Sequence, residues 1–554
     1  MNNYKAVPGR NSNQPLRALP ATLRAGFILL AVGLTPCNTM AQELPDAGRV
    51  LQDNLPSPPL QPVKPSVDFQ PKGQALGETP TGGPQIQLNK ITLTGNTIYS
   101  SEILLAVVGE ALGQSYDLAG LRQLANRVSR YYRDNGYPFA RAYIPEQGMA
   151  DGALTIDVIE GRYGAVKATG EETLVAGAQG FLEPLEPGRV IESASLERAT
   201  LILADQPGAS IVPVMRPGAK TGTGDLDVRV DPAPRITGEL SGDNHGNRYS
   251  GEYRAQADLR LNRAITFGDE ISLLALYSNE DLWLGQLAYE LPLGSSGLRG
   301  RVSYAHTDYT LRAPYEGYTG TAKVSAAGLS YPLLRSRNSN LIAAAGYQYK
   351  DLGNELLDSS YDDKSSHSWP LGLQFDHRHA LALGDGITYG TMSATPGHLD
   401  ADNDGAIHGG FTKANLQLAR IQNLPAGLTL LATVSGQWAD RELDSSESFT
   451  LGGPYGVRAF PLGEAAGSKG WLGQVELGYP MDAFTPYLCY DAGHISRDAE
   501  DNRRSLAGGG IGLRYLHQHW ILDTVAAWKT AGGDATSDDK QRDPHIWFTA
   551  GYRF

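Results

Sequence analysis

From residue 234 to Phe554 the chain is a succession of alternating apolar and polar stretches separated by turns, and this constrains its fold more than any other feature. The stretches are 236–246, 250–264, 269–279, 282–293, 298–311, 317–334, 341–351, 366–381, 386–399, 408–424, 428–440, 471–480, 485–495, 505–517, 519–530 and 544–554, sixteen in all. Successive side chains of a strand point to opposite faces, so period-two alternation sorts them into two surfaces. In the last stretch Ile546, Phe548, Ala550, Tyr552 and Phe554 share one face, and Trp547, Thr549, Gly551 and Arg553 the other. In 471–480, Trp471, Val475, Leu477 and Tyr479 oppose Gln474 and Glu476. An apolar, aromatic face opposite a polar one suits lipid outside and water inside, and favours a closed transmembrane barrel over a soluble sandwich. Closure also leaves no unpaired strand edge in lipid. A tilted membrane strand needs about 9–11 residues, which these stretches supply.

The turns alternate as well. After the sixth, eighth, tenth, twelfth and fourteenth strands they are short, as at Pro425-Ala-Gly427 and Pro480-Met-Asp482. After the seventh, ninth, eleventh, thirteenth and fifteenth they are mostly long or acidic, as at 352–365 with Asp358, Asp362 and Asp363. An even-stranded barrel with both ends in the periplasm places the long loops outside the cell. The chain ends on Phe554, two residues after Tyr552, in an aromatic alternating strand. That pattern resembles the C-terminal signal by which outer-membrane barrels are recognised for insertion.

Composition agrees with many short strands and polar turns. There are 65 Gly, and Tyr at 27 outnumbers Phe at 12. No apolar run approaches the roughly 20 residues of a spanning helix. The formal charge of −13, with no conspicuously basic face, argues against a nucleic-acid partner. Residues 1–41 carry Lys5, Arg10, Arg17 and Arg24 and no acid, then the apolar run 25–34, then small residues at Thr39-Met40-Ala41. This is the layout of an export signal, so the mature chain leaves the cytoplasm. Cys37 falls in that segment and leaves Cys489 alone in the mature chain.

Residues 42–84 form an N-terminal segment and a linker. Asp46–Gln52 can make one or two helical turns, a candidate short plug helix for the resting pore, and the remainder of the segment is too rich in Pro, Gln and Gly to bury much surface. Residues 85–162 read as β-α-α-β-β: a strand at 86–93, helices at 101–112 and 118–135, and strands at 139–144 and 154–159. Residues 163–233 repeat that order with a strand at 165–169, helices at 174–185 and 196–204, and strands at 210–215 and 225–230. Small sheets of this kind leave open edges able to capture an extended peptide by strand addition.

The loop after the eleventh strand, 441–470, is the longest. Its sequence around Gly456-Val457-Arg458-Ala459-Phe460 is too rich in Gly and Pro for a helix or a central strand. It carries a cation that cannot be deprotonated, Arg458, and the strand at 485–495 carries a carboxylate, Asp491, in Tyr490-Asp491-Ala492-Gly493. A guanidinium offers paired donors that fit a carboxylate in bidentate fashion. A carboxylate facing lipid is costly, so Asp491 is expected on the lumen face with Tyr487, Cys489 and Gly493.

Signal, linker, two repeated α/β modules and a sixteen-strand barrel with these two motifs together resemble the TpsB outer-membrane transporters of two-partner secretion, within the Omp85 superfamily. The resemblance covers essentially the whole mature chain. It implies that the modules are periplasmic POTRA domains and that residues 234–554 form an antiparallel transmembrane β-barrel in the outer membrane. It also implies that the sixth extracellular loop folds into the barrel, with Arg458 held by Asp491. Phe460 stands where the family usually has Tyr, which removes a hydroxyl but keeps a ring. Glu464 fits the longer form of the motif, while Ser468-Lys469 departs from it. The implied function is a protein-conducting pore, gated by the Arg458-bearing loop, for a large secreted TpsA-like exoprotein bound by the POTRA domains, inserted by the barrel assembly machinery and working without a cofactor. The alternatives from the sequence are an Omp85-type barrel assembly factor, which usually carries more or differently arranged POTRA domains, and a general porin, which has no need of periplasmic modules. No Ser-His-Asp arrangement or metal-spaced cluster suggests an enzyme.

Overall fold

The structure, a computed structural model, describes residues 45–54, 81–149, 151–402, 407–496 and 503–554. The expected export signal (residues 1–41) and residues 55–80 of the linker lie outside the described residues. The first element is a short helix, α1 (Ala47–Asn54), opened by Asp46, whose carboxylate accepts from the Arg49 amide at 2.9 Å.

The first module places helices α2 (Ser101–Val108) and α3 (Leu118–Asp134) on a three-stranded sheet. Its strands Lys90–Thr94 and Ala153–Ile159 run parallel, and Arg141–Tyr143 pairs antiparallel with the second of these. Leu104, Val108, Leu121, Leu124, Val128, Tyr132 and Ile156 form the core between the layers. The strand expected at 139–144 shortens to Arg141–Tyr143, and two other boundaries shift for visible reasons. The stretch read as one strand over 86–93 divides because Ile86–Gln87 pairs with Ser115–Tyr116, whereas the Asn89 and Lys90 amides turn to the Gly152 carbonyl. Helix α2 stops at Val108 rather than Leu112 because Gly109, at φ +79°, leaves the helical region.

The second module repeats the layout. Strand Arg162–Gly170 lies parallel to Thr223–Pro232, which pairs antiparallel with Ala209–Pro217. Helices α4 (Glu172–Leu182) and α5 (Ser193–Ala204) cover the sheet and bury Leu174, Phe181, Leu182, Leu196 and Leu203. The junction between modules is tied by Glu160. Its carboxylate accepts from the Thr97 and Ile98 amides (2.6 and 2.7 Å), from the Thr97 hydroxyl and from the Tyr132 hydroxyl (3.0 Å), and it pairs with Arg162 at 3.1 Å. Burial alone would raise this carboxyl, but the hydrogen bonds from Thr97, Ile98 and Tyr132 outweigh it and hold the carboxyl below its usual range.

From Ile236 onward sixteen antiparallel strands close into a barrel, the last, His545–Arg553, pairing with the first, Ile236–Asp243. All sixteen predicted stretches are strands of it. The eighth is interrupted between Lys364–Ser368 and Leu371–Leu381 at Pro370, which has no amide to give to the ladder. Alternation sorts the faces as expected. Trp471, Val475, Tyr490, Ile546, Phe548 and Phe554 stand exposed on the outer wall, and Asp243, Lys350, Asp376, Gln437 and Asp491 are buried inside.

The second module rests on the turn after the sixth strand. Arg335 holds Asp205 in a bidentate pair, 2.7 Å on each arm, Arg198 donates to the Pro332 carbonyl at 2.8 Å, and the Arg337 amide donates to Glu197 at 2.6 Å. Phe181 packs on Phe267 from the second barrel turn.

Candidate functional site: a loop and a helix held in the lumen

The eleventh and twelfth strands, Thr429–Ala439 and Lys469–Gly478, are joined by a long loop that folds inward. A short turn, Ser445–Glu447, leads to a two-rung ladder of Phe449–Thr450 with Ala466–Gly467. The tip is knotted by its own backbone. The Val457 amide donates to the Leu451 carbonyl (2.6 Å), Gly453 to Phe460 (3.1 Å) and Gly452 to Glu464 (2.9 Å). At Gly456 a Cβ would lie 1.9 Å from the Leu451 oxygen, so no side chain fits there.

The knot presents Arg458 to the wall. Its Nε and Nη2 donate to the two oxygens of Asp491 at 2.8 and 2.7 Å, and its backbone amide donates to the same carboxylate at 3.1 Å. Asp491 lies on the thirteenth strand, Phe484–Ser496, with Tyr487, Cys489 and Gly493 on the inner face, and is 1 % exposed. The free arm of Arg458 reaches Glu476 at 3.3 Å, and Glu476 also takes Arg514 at 3.1 Å. Gln474 donates to Asp491 (3.3 Å) and to the Gly456 carbonyl (2.9 Å). From the last strand, the Trp547 indole donates to the Arg458 carbonyl at 2.8 Å. The loop is therefore bound to the twelfth, thirteenth and sixteenth strands at once.

The wall is shaped for it. A Cβ at Gly493 would meet Leu451 at 2.5 Å, and one at Gly508 would meet Ala459 at 2.4 Å. Both glycines leave the wall flat where the loop sits. Val457, Ala459 and Phe460 are fully buried, in a cluster with Leu451, Leu472, Ile495, Leu506 and Ala527. The Phe460 ring also lies 5.3 Å below the Lys529 ammonium. The side chain at this position thus contributes packing. Glu464 is fully buried and accepts from the Thr536 and Ser537 amides and hydroxyls at 2.6–3.0 Å, with Arg504 paired to it. It ties this loop to the one preceding the last strand. Of the C-terminal pair, Tyr552 and Phe554 lie on the outer wall, apart from the loop.

The other half of the site is the segment that the sequence offered as a candidate short plug helix, without its contacts. Helix α1 lies inside the barrel, its Ala47, Val50 and Leu51 packed on Leu276, Leu284, Ala305, Tyr309 and Val324. The Ala47 amide donates to Asn354 at 2.7 Å, and Arg254 donates to Asn54 at 3.2 Å. The helix also touches the loop: Gln52 donates to the Ser448 carbonyl, and Ser445 to Asp46. Lys364 joins the three parts, lying 3.1 Å from Asp46, 2.8 Å from Asp444 and 2.9 Å from Asp362. Beside it Glu447 takes Lys350 and Lys413. Within α1, Asp53 is buried with its carboxyl raised by that burial, which Arg49 at 3.2 Å partly offsets. The ties of α1 to Asn354, Lys364, Ser445 and Ser448 each span more than 300 residues of sequence, and no local pattern announces them.

A family model described as haemolysin secretion/activation protein ShlB/FhaC/HecB matches residues 222–515, and one described as POTRA domain, ShlB-type, matches residues 86–161. The chain is 26 % identical over 495 residues to the heme/hemopexin transporter protein HuxB of Haemophilus influenzae, covering 84 % of each chain. It is 23 % identical to the outer membrane transporter CdiB of Dickeya dadantii, covering 80 % of this chain and 82 % of that one. Its fold is similar to the solved structure of CdiB from Escherichia coli, with a TM-score of 0.72 at 21 % identity over 87 % of this chain and 94 % of the other.

Proposed function

Because the chain belongs to the haemolysin secretion/activation family of ShlB, FhaC and HecB, a family of outer-membrane transporters rather than enzymes, we propose that it exports one large partner exoprotein through a lumen closed at rest by α1 and the Arg458 loop. The observation that carries this reading is how the two segments are held. Both enter the lumen, and both are fixed by ion pairs and hydrogen bonds that can be exchanged rather than by covalent links. A permanent wall needs no such exchangeable contacts.

The POTRA modules capture the unfolded exoprotein in the periplasm. Their sheets keep open edges at Lys90–Thr94 and Arg141–Tyr143, and at Ala209–Pro217, where Val212 and Val214 are exposed. An extended peptide can add to such an edge through main-chain hydrogen bonds. The cargo then displaces α1, the loop is rearranged against Asp491, and folding of the cargo outside the cell prevents its return. During biogenesis the barrel assembly machinery reads the C-terminal strand ending in Tyr552 and Phe554.

The test is mass spectrometry of the culture medium and cell surface with and without this protein. Loss of one large exoprotein, with the other outer-membrane barrels unchanged, is expected. A general fall in barrel proteins would instead identify a barrel assembly factor.

A further inference from the structure

Toward the periplasmic ends of the strands the outer wall carries large exposed rings, among them Tyr479, Phe484, Trp520 and Tyr552. Over four neighbouring strands this band changes character. Strand pairing sets Ser339 beside His377, His377 beside Thr388, and Thr388 beside Arg420, one rung across the seventh to tenth strands. The next rung toward the periplasm holds His379, Gly386 and Gln422. These residues share the parity of Leu373, Met392, Leu416 and Leu418, which stand exposed on the outer wall, so the cluster faces the membrane and not the lumen.

The cluster is organised around Arg420. One arm of the guanidinium donates to the Thr388 hydroxyl at 2.8 Å and to His379 Nε2 at 3.0 Å, while Nε, at 3.1 Å, and the other arm both donate to Gln422. The His379 ring stacks on His377 with centroids 4.9 Å apart, and His377 Nδ1 lies 2.7 Å from the Ser339 hydroxyl. All of Arg420's partners are neutral. Among the described residues no carboxylate lies within ion-pairing distance of it, whereas the lumen arginines Arg254, Arg458 and Arg514 each have one. Arginine can only donate, so His379 Nε2 must accept and its proton resides on Nδ1. That nitrogen is buried and has no hydrogen-bond partner in the structure. A cation without a carboxylate partner and the exposed His377 ring thus stand together on a lipid-facing wall, where an uncompensated charge is costly.

What would compensate them is a phosphate. The guanidinium fork and imidazole donors suit phosphate oxygens, and the periplasmic end of the wall adjoins lipid headgroups. Above the cluster Leu373, Met392, Leu416 and Leu418 offer an apolar track for acyl chains. We propose that Arg420, with His377 and His379, binds the phosphodiester of one phospholipid of the periplasmic leaflet.

Native mass spectrometry of the full mature chain released from phosphatidylglycerol vesicles tests this. Arg420→Gln should lower the lipid-bound fraction roughly fivefold, as expected for one basic group at an anionic surface. Arg420→Lys should retain part of it. Lys323→Gln, which removes an outward cation nearer the extracellular end that pairs with Asp351, should leave it unchanged. Lipid retention by Arg420→Gln equal to the parent chain would overturn the proposal. Inorganic phosphate, added in detergent without lipid, separates the sources. An adduct at Arg420 of the same strength as the lipid's would identify a free-phosphate site and overturn the lipid assignment. Should Arg420→Gln fail to insert, His377→Phe combined with His379→Phe keeps the stacked rings and removes the donors. Undiminished lipid binding in that variant and in Arg420→Lys would equally overturn it.

Discussion

A carboxylate with 1 % exposure, as at Asp491, persists inside a protein only if its charge is matched, and here three donors of Arg458 match it. Arg458→Ala leaves that charge buried and is expected to cost on the order of 3–5 kcal/mol, read as a lower unfolding midpoint of the inserted barrel. Combining it with Asp491→Asn should cost less than the two single changes added together; strict additivity would mean that the pair does not interact. The pairing was legible in the sequence, because both motifs are short and local and the bidentate chemistry is particular to Arg. Glu476, Trp547 and the Lys364 cluster were not. Each is an unremarkable residue locally, and it gains its role only when strands distant in the chain are brought together. Lys364 shows this most clearly. Lys364→Gln would leave Asp46, Asp362 and Asp444 facing one another without a cation. Planar-bilayer recordings should then show more frequent opening than the parent chain, and an unchanged opening frequency would remove Lys364 from the closure.

At the scale of elements, the strands were read correctly because side-chain alternation is a direct consequence of the pleat and the two faces meet different solvents. Boundaries slipped where one residue overrode the pattern: Pro370 interrupts the eighth strand and Gly109 ends α2. The seating of the loop depends on small residues of the wall. Gly508→Val would drive a side chain into Ala459, already 2.4 Å from an added Cβ. The loop at 441–468 should then be cut by external protease far faster than in the parent chain, and equal cutting would mean that the loop does not rest on this strand. The POTRA junction has a pH signature. Glu160 has a depressed carboxyl in the folded module, so its contribution is fully present above the ordinary Glu value of 4.5 and is lost as pH falls through the folded value beneath it. Thermal unfolding of the modules should show this loss below about pH 4.5, and Glu160→Gln should flatten it; an unchanged pH profile in that variant would place the acid sensitivity elsewhere.

For the molecule as a whole, the barrel supplies a wall, the second module is seated on it through Asp205 and Glu197, and α1 and the loop fill the interior. Sequence alone offered residues near Asp46 as a short plug helix but left open whether they close the pore, since an eight-residue amphipathic segment suits many surfaces. Its place in the lumen supports the proposed closure at rest, and that closure is the centre of the account. Single-channel conductance of the parent chain, compared with a chain lacking residues 45–54, tests it most directly. The account predicts that removing α1 raises the time-averaged current severalfold, an effect that Asp46→Asn should reproduce in part by weakening the tie to Lys364. Equal currents from both chains, with the barrel inserted to the same extent, would contradict it.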